Sequence, residues 1–321
     1  MQRNDMVLGI DIGATETAFG FVDGHGKILT TAVMPTMADR PAEDFLPRLK
    51  IQIDALGKPL PEGFQLRGIG LGAPNAHPRR GTIENPVNLK WGAVVHLKSL
   101  LQAYYNLPIA LTNDASTAAI GEKMFGSARS MKDFMVVTLG TGLGCGLVLN
   151  DRLHYGVSGF AGELGHTTVD PEGRQCHCGK RGCLEAYVSA SGLIRTALEM
   201  LALRNDPSRL RALKIVEITA KRIFELASKG DAIALSAFDQ TARILGMKLA
   251  DAVAHISPEA IFLTGGLASA GDLLIDPTAR YLDEFLFSVY RGTVKIAPSG
   301  LPAGTGAVLG ASALIWNELK S

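Results

Sequence analysis

Apolar residues run almost unbroken through positions 6–12, give way to a glycine turn, and resume over 18–22 before Asp23-Gly24-His25-Gly26. That tetrapeptide is a hairpin signal, and it leads into a third apolar stretch at 27–33. Three strands in series are predicted. Residues 42–55 carry apolar side chains at helical spacing, and 65–72 return to strand character. The opening pattern then recurs as a strand at 134–139, a glycine turn, a strand at 144–149 ending in Asn150-Asp151, and a short third strand at 152–155. A glycine-turned hairpin that occurs twice predicts an internal duplication.

Between the copies, an apolar strand at 109–111 runs into Thr112-Asn113-Asp114, which opens a helix. Beyond the second copy, 186–200 and 215–229 read as helices, and 232–255 as a long helix stopped by Pro258. Residues 260–263 form a short buried strand that enters Gly265-Gly266, and 304–319 the last helix. Strands interleaved with helices behind two hairpin openings predict two α/β lobes. The length of 321 residues agrees, since one small core does not organise so long a chain.

Lys and Arg number 32 against 31 Asp and Glu, a net charge of +1. Nothing in that balance favours nucleic acid or an anionic membrane, so a small-molecule partner is expected. Residues 1–5 lead into only a short apolar run, unlike a signal peptide or anchor, and the apolar stretch at 303–316 is too short to span a bilayer. A soluble cytoplasmic protein is expected.

Three of the four cysteines lie close together. His166, Cys176, Cys178 and Cys183 follow the order His-x9-Cys-x-Cys-x4-Cys, with glycines between them, and predict a structural Zn2+ site. A disulfide would strand one of the three thiols, and Cys176 and Cys178 are too close to bridge comfortably. His177 is an alternative donor. Glu163 and Glu185 flank the ligands. The fourth cysteine, Cys145, sits alone in an apolar glycine-rich segment, which suits a reducing compartment.

Two glycine turns offer backbone amides to a phosphate chain. They are Asp11-Ile12-Gly13-Ala14-Thr15 and Leu139-Gly140-Thr141-Gly142-Leu143-Gly144. A third loop at Gly265-Gly266 suits a nucleobase or ribose. Asp11 is placed either to hold Mg2+ through water or to cap its turn. Asp114 reads equally as a helix N-cap and as the carboxylate that takes a proton from a substrate hydroxyl. Asn113 beside it carries the donor and acceptor that a sugar hydroxyl needs.

Together, Asp11-Ile12-Gly13-x-Thr15, Thr112-Asn113-Asp114-Ala115, Gly140-Thr141-Gly142-x-Gly144, Gly162-Glu163-x-Gly165-His166, the run from Cys176 to Glu185 and Thr264-Gly265-Gly266 resemble the ROK sugar kinases of the hexokinase–actin ATPase superfamily. The match covers almost the whole chain in order. The segments Gly72-Ala73-Pro74-Asn75 and Asn85-Pro86-Val87-Asn88-Leu89-Lys90-Trp91 are most similar to the bacterial glucokinase branch of that family.

The resemblance implies a two-lobed actin-like ATPase fold of the hexokinase and ribonuclease H-like type. A smaller lobe of residues 1–115 plus 305–321 and a larger lobe of 116–304 are expected. It implies ATP-dependent phosphorylation of a hexose at the 6-hydroxyl, D-glucose foremost. Kinases for N-acetylmannosamine, mannose, fructose or allose are the alternatives. Asp114 would be the general base, with Asn88 and Asn113 on neighbouring hydroxyls and Glu163, His166 and Glu185 toward the anomeric end. ATP and Mg2+ would lie in the cleft, the phosphates against Asp11, Gly13, Thr15, Gly140, Thr141, Gly142 and Gly144 and the adenosine near Gly265 and Gly266. A homodimer is implied. Departures from the family pattern fall at Ala14, Glu16, Asn75, Ser116 and Cys145, and none removes a catalytic group. Sugar-sensing repressors of the same family carry a helix-turn-helix before the first strand, whereas that strand is expected here near Met6.

Overall fold

The computed structural model describes residues 4–58, 60, 63–86 and 89–320. In chain order the elements are β1 (Asp5–Ile12), β2 (Glu16–Asp23), β3 (Ile28–Pro35), α1 (Ala42–Gly57), β4 (Gln65–Gly72), β5 (Ala76–His77), β6 (Thr82–Glu84), β7 (Val94–Val95), α2 (Leu97–Gln102), β8 (Ile109–Thr112) and α3 (Asp114–Met124). They continue with β9 (Phe134–Leu139), β10 (Leu143–Leu149), β11 (Arg152–Leu153), α4 (Ala190–Leu203), α5 (Ala220–Ala227), α6 (Ala232–Ile256), β12 (Ala260–Thr264), α7 (Ile275–Phe285), β13 (Lys295–Pro298) and α8 (Gly306–Lys320).

Two five-stranded sheets have the orders β3-β2-β1-β4-β8 and β11-β10-β9-β12-β13. The strand at the centre of each, β1 and β9, opens a glycine-turned hairpin, so the duplication expected from the sequence is present in the topology. β5, β6 and β7 make a small third sheet.

By contacts the chain divides into unit 1, Met1–Met131, Gly146–Ala161 and Gly300–Ser321, and unit 2, Lys132–Cys145 and Gly162–Ser299. In unit 1, β1 pairs antiparallel with β2 and parallel with β4, which pairs parallel with β8. The strand is apolar on both faces because both are covered. Leu8, Ile10 and Ile12 pack with Phe45 and Leu49 of α1, whereas Val7 packs with Leu314, Ile315 and Trp316 of α8. Helix α8 comes very close to the sheet. A Cβ on Gly70 would stand 1.9 Å from the Ala311 carbonyl oxygen, so only glycine fits there. The contacts place α3 with unit 1, where it packs on α8, whereas the sequence had suggested a larger lobe starting at 116.

In unit 2, β12 runs parallel to β9 and β13, with Ile261 level with Met135 and Ile296. Helices α4, α5 and α7 pack on α6. Local capping shortens two helices expected from periodicity. At 186–200, the Ser189 hydroxyl accepts the Gly192 amide, so α4 starts only at Ala190, behind a 3-10 turn at Leu184–Ala186. At 215–229, Thr219 caps the Arg222 amide and α5 begins at Ala220. The short β5–β7, α2, α7 and β13 went unread. Among the described residues, no helix is long and apolar enough to cross a membrane.

Candidate functional site

In unit 1 the carboxyl ends of three parallel strands are in register. Asp11 of β1 lies beside Gly72 of β4, and Gly72 beside Thr112 of β8. Ligands in open α/β sheets collect at such strand ends. A Cβ on Gly72 would come within 3.1 Å of Asp11 Oδ1, so the missing side chain leaves room for that carboxylate.

Two residues past Thr112 the question of the cap is answered. Asn113 is the N-cap of α3, its Oδ1 accepting the Ser116 amide at 2.7 Å. Asp114 is therefore the first helical residue. Its Oδ1 accepts the adjacent Ala115 amide at 2.9 Å, so it helps to satisfy the first turn without holding the N-cap position. Asp114 stays reachable by solvent, yet protein surrounds its carboxylate closely enough that burial raises its pKa, against the opposing pull of the Ala115 amide. Burial, and then the Asp114 charge, push Asp11 up to about 7. A pair of carboxylates in this state favours a neighbouring cation or a proton, and either fits a site that handles phosphate with a divalent metal.

The Asp11 shift makes a stability prediction. Its folded pKa, about 7, exceeds its ordinary value of 3.8, so folding is penalised increasingly as pH rises between the two. Asp11→Asn is expected to unfold at nearly the wild-type temperature near pH 4 and at a higher one near pH 8. The gain has a ceiling of about 4 kcal/mol. Thermal melts across that range check it, and a gap that stays constant with pH would refute the cause given.

Loop 1 between β1 and β2 is pinned from β3. The Thr36 hydroxyl donates to the Gly13 carbonyl (2.7 Å), and the Thr36 amide to the Thr15 carbonyl (2.9 Å). Gly13 donates its own amide to Glu16, and a Cβ there would lie 2.8 Å from the Glu16 oxygen. Among the described residues the amides of Ala14 and Thr15 are left over at the exposed tip.

Loop 2 in unit 2 is built alike. The Gly140 amide bonds Gly142, the Leu143 amide donates to Glu185 Oε2 at 2.9 Å, and the Gly144 amide to Thr138 Oγ1 at 3.2 Å. The Ala190 amide, at the start of α4, holds the Gly140 carbonyl at 2.9 Å. Among the described residues the amides of Thr141 and Gly142 are left over. Gly142 also admits the Glu185 carboxylate, since a Cβ would meet Oε2 at 2.4 Å. Gly265, at φ +93, lies against the Leu139 carbonyl and so brings Gly265-Gly266 beside loop 2. Thr36, Thr138 and the Glu185 link were not read as supports of these loops, because no sequence spacing connects them.

The donor atoms of His166, Cys176, Cys178 and Cys183 all lie within 4.8 Å of one another. Sulfurs about 2.3 Å from a tetrahedral ion stand about 3.8 Å apart. Here Cys178 and Cys183 Sγ are 3.6 Å apart, and Cys176 Sγ is 3.9 Å from His166 Nδ1. Burial and the two neighbouring thiols push Cys183 up to about 12, so gathered thiolates need a cation. The donors fit a closed metal site. With Nδ1 facing the sulfurs, His166 Nε2 is left 3.7 Å from Glu163 Oε2. Glu185 Oε1 lies 3.8 Å from Cys176 Sγ, so this carboxylate touches the Cys3His cluster and loop 2 together. Asn88 lies outside the described residues.

The chain belongs to the ROK family, whose family model matches residues 7–318. It is 36% identical to a glucokinase of Halalkalibacterium halodurans, with 98% of this chain and 96% of that protein covered. The crystal structure of a ROK family glucokinase from Streptomyces griseus, in complex with glucose and AMPPNP, superposes with a TM-score of 0.81 at 31% identity, covering 96% and 98% of the two chains. A ROK family transcriptional regulator, a homolog of the E. coli MLC protein, superposes at 0.88 with 25% identity over 99% of this chain and 79% of its own. The architecture is that of the actin-like ATPase fold of ROK sugar kinases.

Proposed function

We propose that this chain is an ATP:hexose 6-phosphotransferase that converts D-glucose to glucose 6-phosphate in the cytoplasm. The observation that carries the reading is the state of Asp114, a carboxylate outside the N-cap position and raised in pKa next to Asp11 at the strand ends. Full-length likeness to glucokinases supports the choice of sugar.

In this reading Asp114 takes the proton of the 6-hydroxyl as its oxygen bonds to the γ-phosphorus and the bond to ADP breaks. A general base whose pKa is raised toward the working pH suits that task. The Asn113 amide NH2 remains to donate to a neighbouring hydroxyl, since its oxygen is used by Ser116. Asn88 is assigned a hydroxyl alongside it. Glu163, His166 and Glu185 address those near the anomeric carbon. The paired amides of Ala14-Thr15 and Thr141-Gly142 receive phosphate oxygens, Asp11 bears on Mg2+, and Gly265-Gly266 offer a flat floor to the adenosine. Mg2+ supplies charge neutralisation on the phosphates, and the remainder is positioning. His166, Cys176, Cys178 and Cys183 would hold a structural Zn2+, which would fix the tautomer and aim of His166 and activate no water.

An ADP-release assay over glucose, mannose, fructose, allose, N-acetylglucosamine and N-acetylmannosamine tests the proposal. The expected result is the highest kcat/KM with glucose. A higher value with another sugar would replace the substrate, and no ADP formation with any of the six would defeat the kinase reading.

A further inference from the structure

Arg174, two residues ahead of Cys176, is only 6% exposed and has no part in the chemistry above. Every nitrogen of its guanidinium is used. Nε and Nη2 fork onto the Glu199 carboxylate, Nη2 also donates to Thr196 Oγ1 at 2.9 Å, and Nη1 donates to the carbonyls of Ala186 (2.9 Å) and Gly192 (3.2 Å). The group lies over the Tyr187 ring at 4.5 Å, and the Arg174 amide donates to the Tyr187 hydroxyl at 3.0 Å.

All of these partners belong to α4 or the turn that leads into it, whereas Arg174 belongs to the cysteine-rich loop. That loop is held by turn bonds, among them Cys176 amide to Lys180 carbonyl at 2.9 Å and Gly182 amide to Arg174 carbonyl at 2.8 Å, and not by regular structure. Between the 3-10 turns at Leu164–His166 and Leu184–Ala186 it holds no helix or strand, only the isolated bridges Thr168–Cys183 and Gln175–Arg181. A flexible segment that had to be ordered by the ion would spend binding free energy on conformational entropy. A buried guanidinium with all donors satisfied makes that order independent of the ion. Lysine, with one compact ammonium, does not reproduce five planar donors.

We propose that Arg174 is a positioning residue that fastens the cysteine-rich loop to α4 and gathers its four donor atoms before a metal arrives. The inference rests on the Zn2+ assignment above. Arg174 touches neither ion nor substrate, and it acts through the backbone that leads into Cys176.

The test is a zinc titration of metal-stripped protein against a chromophoric chelator, on wild type, Arg174→Met and Arg174→Lys. Both variants are expected to bind Zn2+ at least about tenfold more weakly than wild type, the size of effect seen when supports of metal ligands are removed. Excess Zn2+ should then restore the sugar KM of Arg174→Met, a recovery that general loss of structure would not allow. If either variant fails to fold by circular dichroism, Glu199→Gln and Thr196→Val remove single contacts of the same clamp and must weaken zinc binding as well. Wild-type zinc affinity in the folded variants overturns the proposal. Wild type that takes up no Zn2+ overturns the metal assignment, and this inference with it.

Discussion

Asp114→Asn is expected to lower turnover by a factor of about 10²–10⁴, the usual loss with a general base, while sugar and nucleotide dissociation constants change little. Asparagine keeps the shape and the bond to the Ala115 amide but accepts no proton. The helix should survive, because Asn113 supplies the cap. With Asp114 as the base, its raised pKa is expected to set the acid limb of kcat above the ordinary carboxylate range, so that wild-type activity falls as pH drops through it. The variant should lack that limb. It should also melt at a higher temperature near neutral pH, since Asp114 is one of the two causes that raise Asp11. Near-normal turnover of the variant, measured alongside direct binding of sugar and nucleotide, would reduce Asp114 to a structural residue.

Cys178→Ser is expected to lower zinc content and glucose affinity together. Cys178 is the exposed member of the cluster, so the change is tolerated sterically, but a hydroxyl is a poor ligand beside soft thiolates. Without a bound ion, His166 Nδ1 would lack the coordinate bond that fixes its tautomer, and Nε2 would hold its aim beside Glu163 less firmly. The sugar KM should rise by about tenfold or more, with a smaller change in kcat, because in the proposed reading the ion would orient a binding group and not the reacting one. Metal analysis and Michaelis kinetics on one preparation decide the matter. A zinc-free variant with an unchanged KM would uncouple the two.

Much of the candidate site was legible because its signals are local. The four metal donors lie within eighteen consecutive residues, and their spacing alone predicts the gathering that the structure contains. The glycine turns were visible for the same reason. Whether Asp114 is the N-cap was not, since Asn113 and Asp114 are both good cap residues. Only the observed bond from Ser116 to Asn113 separates them. Helix starts were misjudged where Ser189 and Thr219 cap, because apolar periodicity carries on through residues that local hydrogen bonds keep out of the helix. The amphipathic α7 was missed, although its pattern was there to read.

Glu185 marks the boundary between the two kinds of information. Its place beside the cysteines is sequential, and its bond to the Leu143 amide joins positions 42 apart. The shift of Asp11 to about 7 likewise needs Asp114, which lies far along the chain and meets it only across three strands in register. The family, the duplicated α/β plan, the turns and the Cys3His cluster are written in neighbouring residues, whose backbone and ligand preferences act over a few bonds. Which amides remain open, which residue holds the N-cap and in which direction the pKa of Asp114 moves were decided by tertiary structure. Burial, field and hydrogen-bond partnership are properties of groups that only folding brings together.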